Sequence, residues 1–183
     1  MAREYPGLTP QLRDFIARQR IFFAASAAAG ARVNVSPRGM REFRILSDNE
    51  ICWLDLTGSG AETAAHLQAD GRLTIMFCAF EGPPNILRLY GRGEILHRRS
   101  AAFAEMLAQE FGNVLPLGGR QIVRLKIDLV KTSCGYGVPA YDFRQERAAL
   151  DNWAAGKGAS GIENYWREYN TKSMDGLPTG IVD

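Results

Sequence analysis

The hydrophobic positions change period several times along the chain, and each change predicts an element. Leu12, Phe15 and Ile16 make one helical face over residues 10–18, with Thr9-Pro10 as cap and first helical position. Residues 21–27 read as a strand. Ala27-Ala28-Ala29-Gly30 turns the chain, and the alternation of residues 32–36 makes its hairpin partner, broken by Pro37-Arg38-Gly39. Residues 43–46 and 51–56 read as strands around the turn Ser47-Asp48-Asn49. Residues 62–67 read as a short helix that Thr57 or Ser59 could cap, with Glu62 spaced as a capping-box partner of Ser59.

Residues 73–80 are almost uninterruptedly apolar and read as a central strand. Residues 86–95 alternate, and Gly91 and Gly93 predict a bend or bulge. Residues 100–111 form a helical pattern through Phe103, Met106, Leu107 and Phe111, and residues 121–130 a long strand. Residues 144–155 and 160–169 read as helices on either side of Gly156-Lys157-Gly158; the segment from Ser173 onward has no period. Roughly six strands precede the last two helices, without βαβ alternation. The fold class expected is mainly β with peripheral helices: an antiparallel barrel over residues 1–140, with a helical extension, 141–183, packed on it.

Three places could carry chemistry. On a strand Arg32, Asn34 and Ser36 project together, with Val33 and Val35 opposite and Arg38 able to fold back. Such a donor row can hold a phosphate or sugar hydroxyls; the alternative is a solvent-facing strand surface. Thr57-Gly58-Ser59-Gly60 before the 62–67 helix can bind an anion or simply be a capped turn, and Glu62 argues against a bare phosphate beside it. Arg88, Tyr90 and Arg92 share a strand face that could line a cleft, line a subunit interface or face water. Cys78 reads as a small buried hydrophobe and Cys134 as more exposed. His66 and His97 have no partner nearby in sequence.

Composition narrows the classes. The 183 residues are 46 % hydrophobic and 23 % charged, an ordinary globular balance. A net charge of +2 gives weak steering, and no arginine run is interleaved with aromatics, which disfavours nucleic acid. Lysine occurs only at 126, 131, 157 and 172; the other cations are arginines, suited to planar anions. The three cysteines form no CxxC pair and the two histidines lie far apart, so neither a disulfide framework nor a metal site is expected. The opening MAREYPGLTP has no signal-peptide run and no stretch approaches a membrane span. A cytoplasmic location is the expectation.

The stretches FFAAS (22–26), RVNVSPRG (32–39), WLDLTGSGAETAAHL (53–67) and GRLTIMFCAFEGPPNILRLYGRGEI (71–95) together resemble the pyridoxamine 5′-phosphate oxidase-related flavoproteins. SCGYGVP (133–139) and SMDGLPTG (173–180) resemble one uncharacterised branch of them. The resemblance implies a six-stranded split β-barrel, a homodimer, and FMN in a cleft between subunits. By that match backbone groups near Val33, Asn34 and Val35 meet the flavin edge, and Arg32 and Ser36 serve its polar tail. Leu54 and Asp55 lie beside the cofactor, residues 58–63 lie near its phosphate, and Arg88 approaches from a later strand. Ser59, Thr63 and Arg38 become substitute phosphate donors. Pro37 stands where the true oxidases carry a lysine, Gly60 and Ala61 stand where they carry an Arg-Lys pair, and their basic C-terminal motif is absent. The expected function is therefore an FMN-dependent oxidoreductase, other than a pyridoxamine phosphate oxidase, exchanging hydride or electrons with a small molecule. The alternative is a non-catalytic module for flavin, deazaflavin or haem.

Overall fold

The computed structural model of the chain describes residues 2–182, so the outermost residues of the two expected segments, 1 and 183, lie outside it. Helix α1 (Pro10–Ala17) begins where Thr9 Oγ1 accepts the Leu12 N–H, and it buries Leu12, Phe15 and Ile16. Among the described residues eight strands, one before α1 and seven after it, form one antiparallel sheet: β1 (Arg3–Tyr5), β2 (Ile21–Ser26), β3 (Asn34–Gly39), β4 (Phe43–Ser47), β5 (Glu50–Leu56), β6 (Arg72–Cys78), β7 (Ile86–His97) and β8 (Gly119–Ser133). Their spatial order is β3-β2-β6-β7-β8-β5-β4, and β1 pairs with β8. The path ends at β3 and β4, and the long β7 and β8 carry its centre. The sheet is curled around an aromatic cluster in which Phe22 meets Phe43, Trp53 and Phe77 at ring separations of 5.0, 5.5 and 6.1 Å.

Three helices close the outside. Helix α2 (Glu62–Ala69) packs on β2 and β7. Helix α3 (Ala101–Phe111) is capped by Ser100 and buries Phe103, Leu107 and Phe111 over Cys52, Leu54 and Ile122. Helix α4 (Ala149–Tyr169) bends at Gly158, whose φ of 66° breaks the helical course. Its Trp166 indole donates to Thr57 Oγ1 at 2.8 Å, which docks the helix against the end of β5.

The mainly β architecture with peripheral helices is present, with corrections. Among the described residues there are eight strands rather than six: the seven stretches read as strands along the chain, and β1, which exists through its pairing with β8. The hairpin strand does not stop before Pro37; it runs to Gly39. β3 is an edge strand, where a residue without an N–H is tolerated. The predicted helix over 144–155 begins only at Ala149, and residues 140–148 have no regular structure.

The bulge in β7 lies between Tyr90 and Gly91, where the register against β8 shifts. A Cβ at Gly91 would overlap the carbonyl oxygen of Lys126 on β8. Gly91→Ala is expected to cost about 2–3 kcal/mol by overpacking two central strands. Urea unfolding measures this, and an unchanged midpoint would show that the β7–β8 approach is not as close as described.

Candidate functional site

Strand β3 is built inside out. Asn34, Ser36 and Arg38 are half-buried, whereas Val35 is 59 % exposed and Val33, just before the strand, 71 %. The polar row is satisfied locally: Ser36 Oγ donates to Asn34 Oδ1 at 3.2 Å, and Asn34 Nδ2 donates to Thr63 Oγ1 on α2 at 3.2 Å. Val35 lies on, and Val33 just before, a strand whose only sheet neighbour among the described residues is β2. Alternate backbone N–H and C=O groups of such an edge point away from the sheet and await a partner.

Arg38 leads to the most enclosed charge cluster. It pairs with Asp55 Oδ1, and its guanidinium lies 5.7 Å from the Trp53 ring. The other carboxylate oxygen, Oδ2, accepts from Arg120 Nε and Gln121 Nε2, each at 2.8 Å. Arg120 donates on to Asn170 Oδ1 at 2.9 Å, and Asn170 Nδ2 reaches the Gly58 carbonyl. Asp55 and Arg120 are 1 % and 3 % exposed. Burial alone would raise the Asp55 carboxyl, but the charges of Arg120 and Arg38 and the hydrogen bonds from Arg120 and Gln121 outweigh it, holding the carboxyl below the usual carboxylate range. Asp55 is thus committed to protein partners, and its neighbour Leu54 is packed into the α3 cluster.

At the other end of β3, Arg32 already holds an anion. Its backbone N–H donates to Asp175 Oδ2 at 2.8 Å, and its guanidinium pairs with Asp175 Oδ1. Asp175 sits in the turn Ser173-Met174-Asp175-Gly176, and Gly176 has φ 84°. The neighbouring Met174 N–H donates to Glu62 Oε1 at 3.0 Å. The predicted capping box between Ser59 and Glu62 is therefore absent: Ala61 is the N-cap of α2, and Glu62 serves the tail. Ser59 is exposed, while Thr63 is buried under Asn34. Thr57 does not cap α2 either; its hydroxyl donates to the Gly118 carbonyl and accepts from Trp166.

The predicted site residues thus divide over two sides of one edge. On the inner side Asn34, Ser36 and Thr63 form one hydrogen-bonded set, and Arg38 with Asp55 another. Arg88 belongs with Val35 on the other, since the register aligns Pro37 with Phe23, Phe23 with Met76 and Met76 with Arg88. Arg88 donates to Ser133 Oγ at 3.1 Å. Residues that local reading missed are Arg120, Asn170 and Asp175, whose partners lie 50 or more positions away.

Cysteines and histidines lie elsewhere. Burial pushes the Cys52 thiol up to about 12 and raises that of Cys78, and Cys134 is exposed. His66 is fully buried, with Nδ1 3.0 Å from Ser26 Oγ. His97 Nε2 lies 3.2 Å from Gln68 Nε2, and a Cβ on Gly180 would touch its ring. Among the described residues no group of three His, Cys, Asp or Glu side chains could hold a metal ion, and no helix is long and apolar enough to cross a membrane.

The sequence profile of the family described as pyridoxamine 5′-phosphate oxidase matches residues 8–134. The pyridoxamine 5′-phosphate oxidase family protein ustO of Aspergillus flavus is 35 % identical, over 95 % of this chain and 76 % of that protein. Two solved structures share the fold at low identity. One is a pyridoxamine 5′-phosphate oxidase-related, FMN-binding protein of Nostoc punctiforme (TM-score 0.52, 14 % identity, 72 % of this chain and 87 % of that one). The other is HutZ, the haem storage protein of Vibrio cholerae (TM-score 0.51, 18 % identity, 71 % and 98 %).

The Asp55 cluster makes its own prediction. A carboxyl held below its unfolded value of about 3.9 contributes stability that is complete above that value and is lost as pH falls through the folded one. Asp55→Asn leaves Arg120 buried without its counter-charge and is expected to lower unfolding stability by about 3 kcal/mol at neutral pH. The gap to the native protein should narrow in acid, below about pH 4. Urea melts from pH 7 to pH 3 check this; a gap that does not change with pH would remove the ionised carboxylate from the account.

Proposed function

This chain belongs to the pyridoxamine 5′-phosphate oxidase family, and from that premise we propose that it is a flavin-binding protein whose cofactor lies along β3. One observation carries the reading: an exposed, apolar strand edge with an anion cradle at its end. The pyrimidine edge of a flavin alternates acceptor, donor and acceptor, which suits the free N–H and C=O groups of an edge strand. Val33 and Val35 supply apolar contact beside it. The Arg32 amide and guanidinium bind a carboxylate of the protein itself, so that pair of donors is suited to a phosphate.

The residues fit the cofactor on one condition: a phosphate at Arg32 must displace Asp175. Arg32 would then hold the phosphate, with Ser59 exposed nearby in sequence to α2, and backbone groups of residues 33–37 would orient the ring. When bound, FMN supplies the hydride or electron chemistry, exchanged with a small molecule. The protein's part is binding and orientation. Asp55 is ionised and fully engaged, so it holds no proton to give. Binding without turnover is consistent with this arrangement. The sheet face that carries Val35, Pro37, Phe23, Met76 and Arg88 is the surface on which a second subunit would complete the cleft. Flavin is favoured over histidine-ligated haem because His66 is enclosed and His97 lies beneath the tail.

Absorption spectroscopy of the purified protein, followed by calorimetric titration with FMN, riboflavin and haemin, tests the reading. A bound flavin, or saturable uptake of FMN, is expected. A colourless protein that takes up neither flavin, or one that takes up only haemin, refutes it. Arg32→Ala should weaken FMN about tenfold while sparing riboflavin, as loss of a charge-assisted contact to the phosphate implies. Asp175→Ala should strengthen FMN by a similar factor, about tenfold, because the competing carboxylate is gone. Equal effects on FMN and riboflavin would place the phosphate elsewhere.

A further inference from the structure

A second concavity lies at the far end of β3, away from Arg32. It is a cleft of about 1450 Å³ between α1, the end of β3, the β6–β7 loop and residues 141–147. Ligand sites commonly span ~300–1,000 Å³, so the space takes a sizeable small molecule. Six arginines line it against three carboxylates. Arg18, Arg20, Arg144 and Arg147 are four of the six, and among the described residues none of these four is in an ion pair. One of the carboxylates, Glu81, is engaged by the Phe143 N–H at 2.9 Å. The lining is therefore net positive, and these four guanidiniums, unlike those of Arg32 and Arg120, are not committed to an ion pair among the described residues.

The roof is held in place without secondary structure. The Tyr141 N–H donates to the Phe80 carbonyl at 2.9 Å, and the Tyr141 and Phe80 rings lie 5.6 Å apart. The Arg20 guanidinium lies 5.1 Å from the centre of the Phe143 ring. The Arg20 guanidinium thus covers one face of Phe143. Guanidinium forks recognise carboxylate, phosphate or sulfonate oxygens, and both surface types stack on a conjugated ring.

We propose that this cleft is a binding site for a planar, conjugated small molecule bearing two or more anionic groups. The arginines of α1 and of the roof take the anionic groups, and Tyr141 and Phe143 cover the ring. The assignment does not rest on the flavin reading. Its walls come from α1, the β6–β7 loop and the segment after β8, and the two places meet only at Pro37 and Arg38.

The probe is 8-hydroxypyrene-1,3,6-trisulfonate, a planar aromatic trianion, titrated into the whole chain and followed by fluorescence anisotropy. One saturable site per chain is expected, weakening as salt is raised. The double variant Arg20→Gln, Arg144→Gln changes two exposed side chains and should weaken the probe by about tenfold or more while leaving FMN uptake unchanged. Phe143→Ser should weaken it by a smaller factor. The planar cation acridine orange should not bind there. Absence of saturable binding overturns the proposal. So does a probe affinity that survives the double variant, and so does one lost in Arg32→Ala instead, which would place the probe at the flavin cradle. Because FMN and the trisulfonate are read separately, either reading can fail while the other stands.

Discussion

The buried Asp55 carboxylate is the constraint on which the geometry of the site depends. A lone carboxylate at that depth would give up its charge. It keeps it because Arg38 comes from β3, and Arg120 and Gln121 from β8, while Asp55 itself lies one residue before the end of β5. In the sheet order β3 and β5 are five strands apart, so their tie runs across the interior of the curl, where no backbone ladder can join them. Arg120 carries the same chain to Asn170 just after α4, and Asn170 carries it to Gly58 before α2. One ionised group therefore fixes the edge strand, the loop before α2 and the C-terminal helix relative to each other.

That tie explains why β3 is inverted. A strand at the edge of a sheet normally turns polar side chains to water and apolar ones to the core. Here the inner positions are polar because they must reach Asp55 and Thr63, and the valines are left outside. Two exposed valines on an unpaired edge are a liability for a protein that leaves them bare. A cofactor or a second subunit laid along the edge removes it. The strand's unusual pattern follows from that interior charge.

Much of the local structure was legible in the chain. α1 with its Thr9-Pro10 start, the long alternation of β7 with its glycine bulge, the apolar face of α3, and the break at Gly158 are written in short-range periodicity and punctuation. What escaped local reading depends on distant partners. β1 is three residues with no periodic content and exists by pairing with β8. Pro37 signals a break unless it is known to lie on an edge. Ser59 and Glu62 have capping-box spacing, yet Glu62 is taken by the Met174 N–H from 112 positions away. For the site, the row Arg32, Asn34, Ser36 and Arg38 could be picked out from spacing. Its division could not: Arg32 is neutralised by Asp175, 143 positions on, whereas the half-buried Arg38 pairs with the buried Asp55.

The arginine bias of the sequence acquires a meaning from that division. Arg120 and Arg38 are structural, since their charge is answered by Asp55 in the interior. Arg32 is answered by Asp175, whose side chain is 15 % exposed, while Arg32's own side chain remains 71 % exposed. Arg18, Arg20, Arg144 and Arg147 are in no ion pair among the described residues. A net charge of +2 hides this sorting, because the balance is struck over the whole molecule, not at each place. Cations left without counter-charges in a concavity keep a favourable term for an incoming anion that paired cations have already lost. β3 thus runs from a cradle filled by the protein's own carboxylate to a cleft whose positive charge is still open.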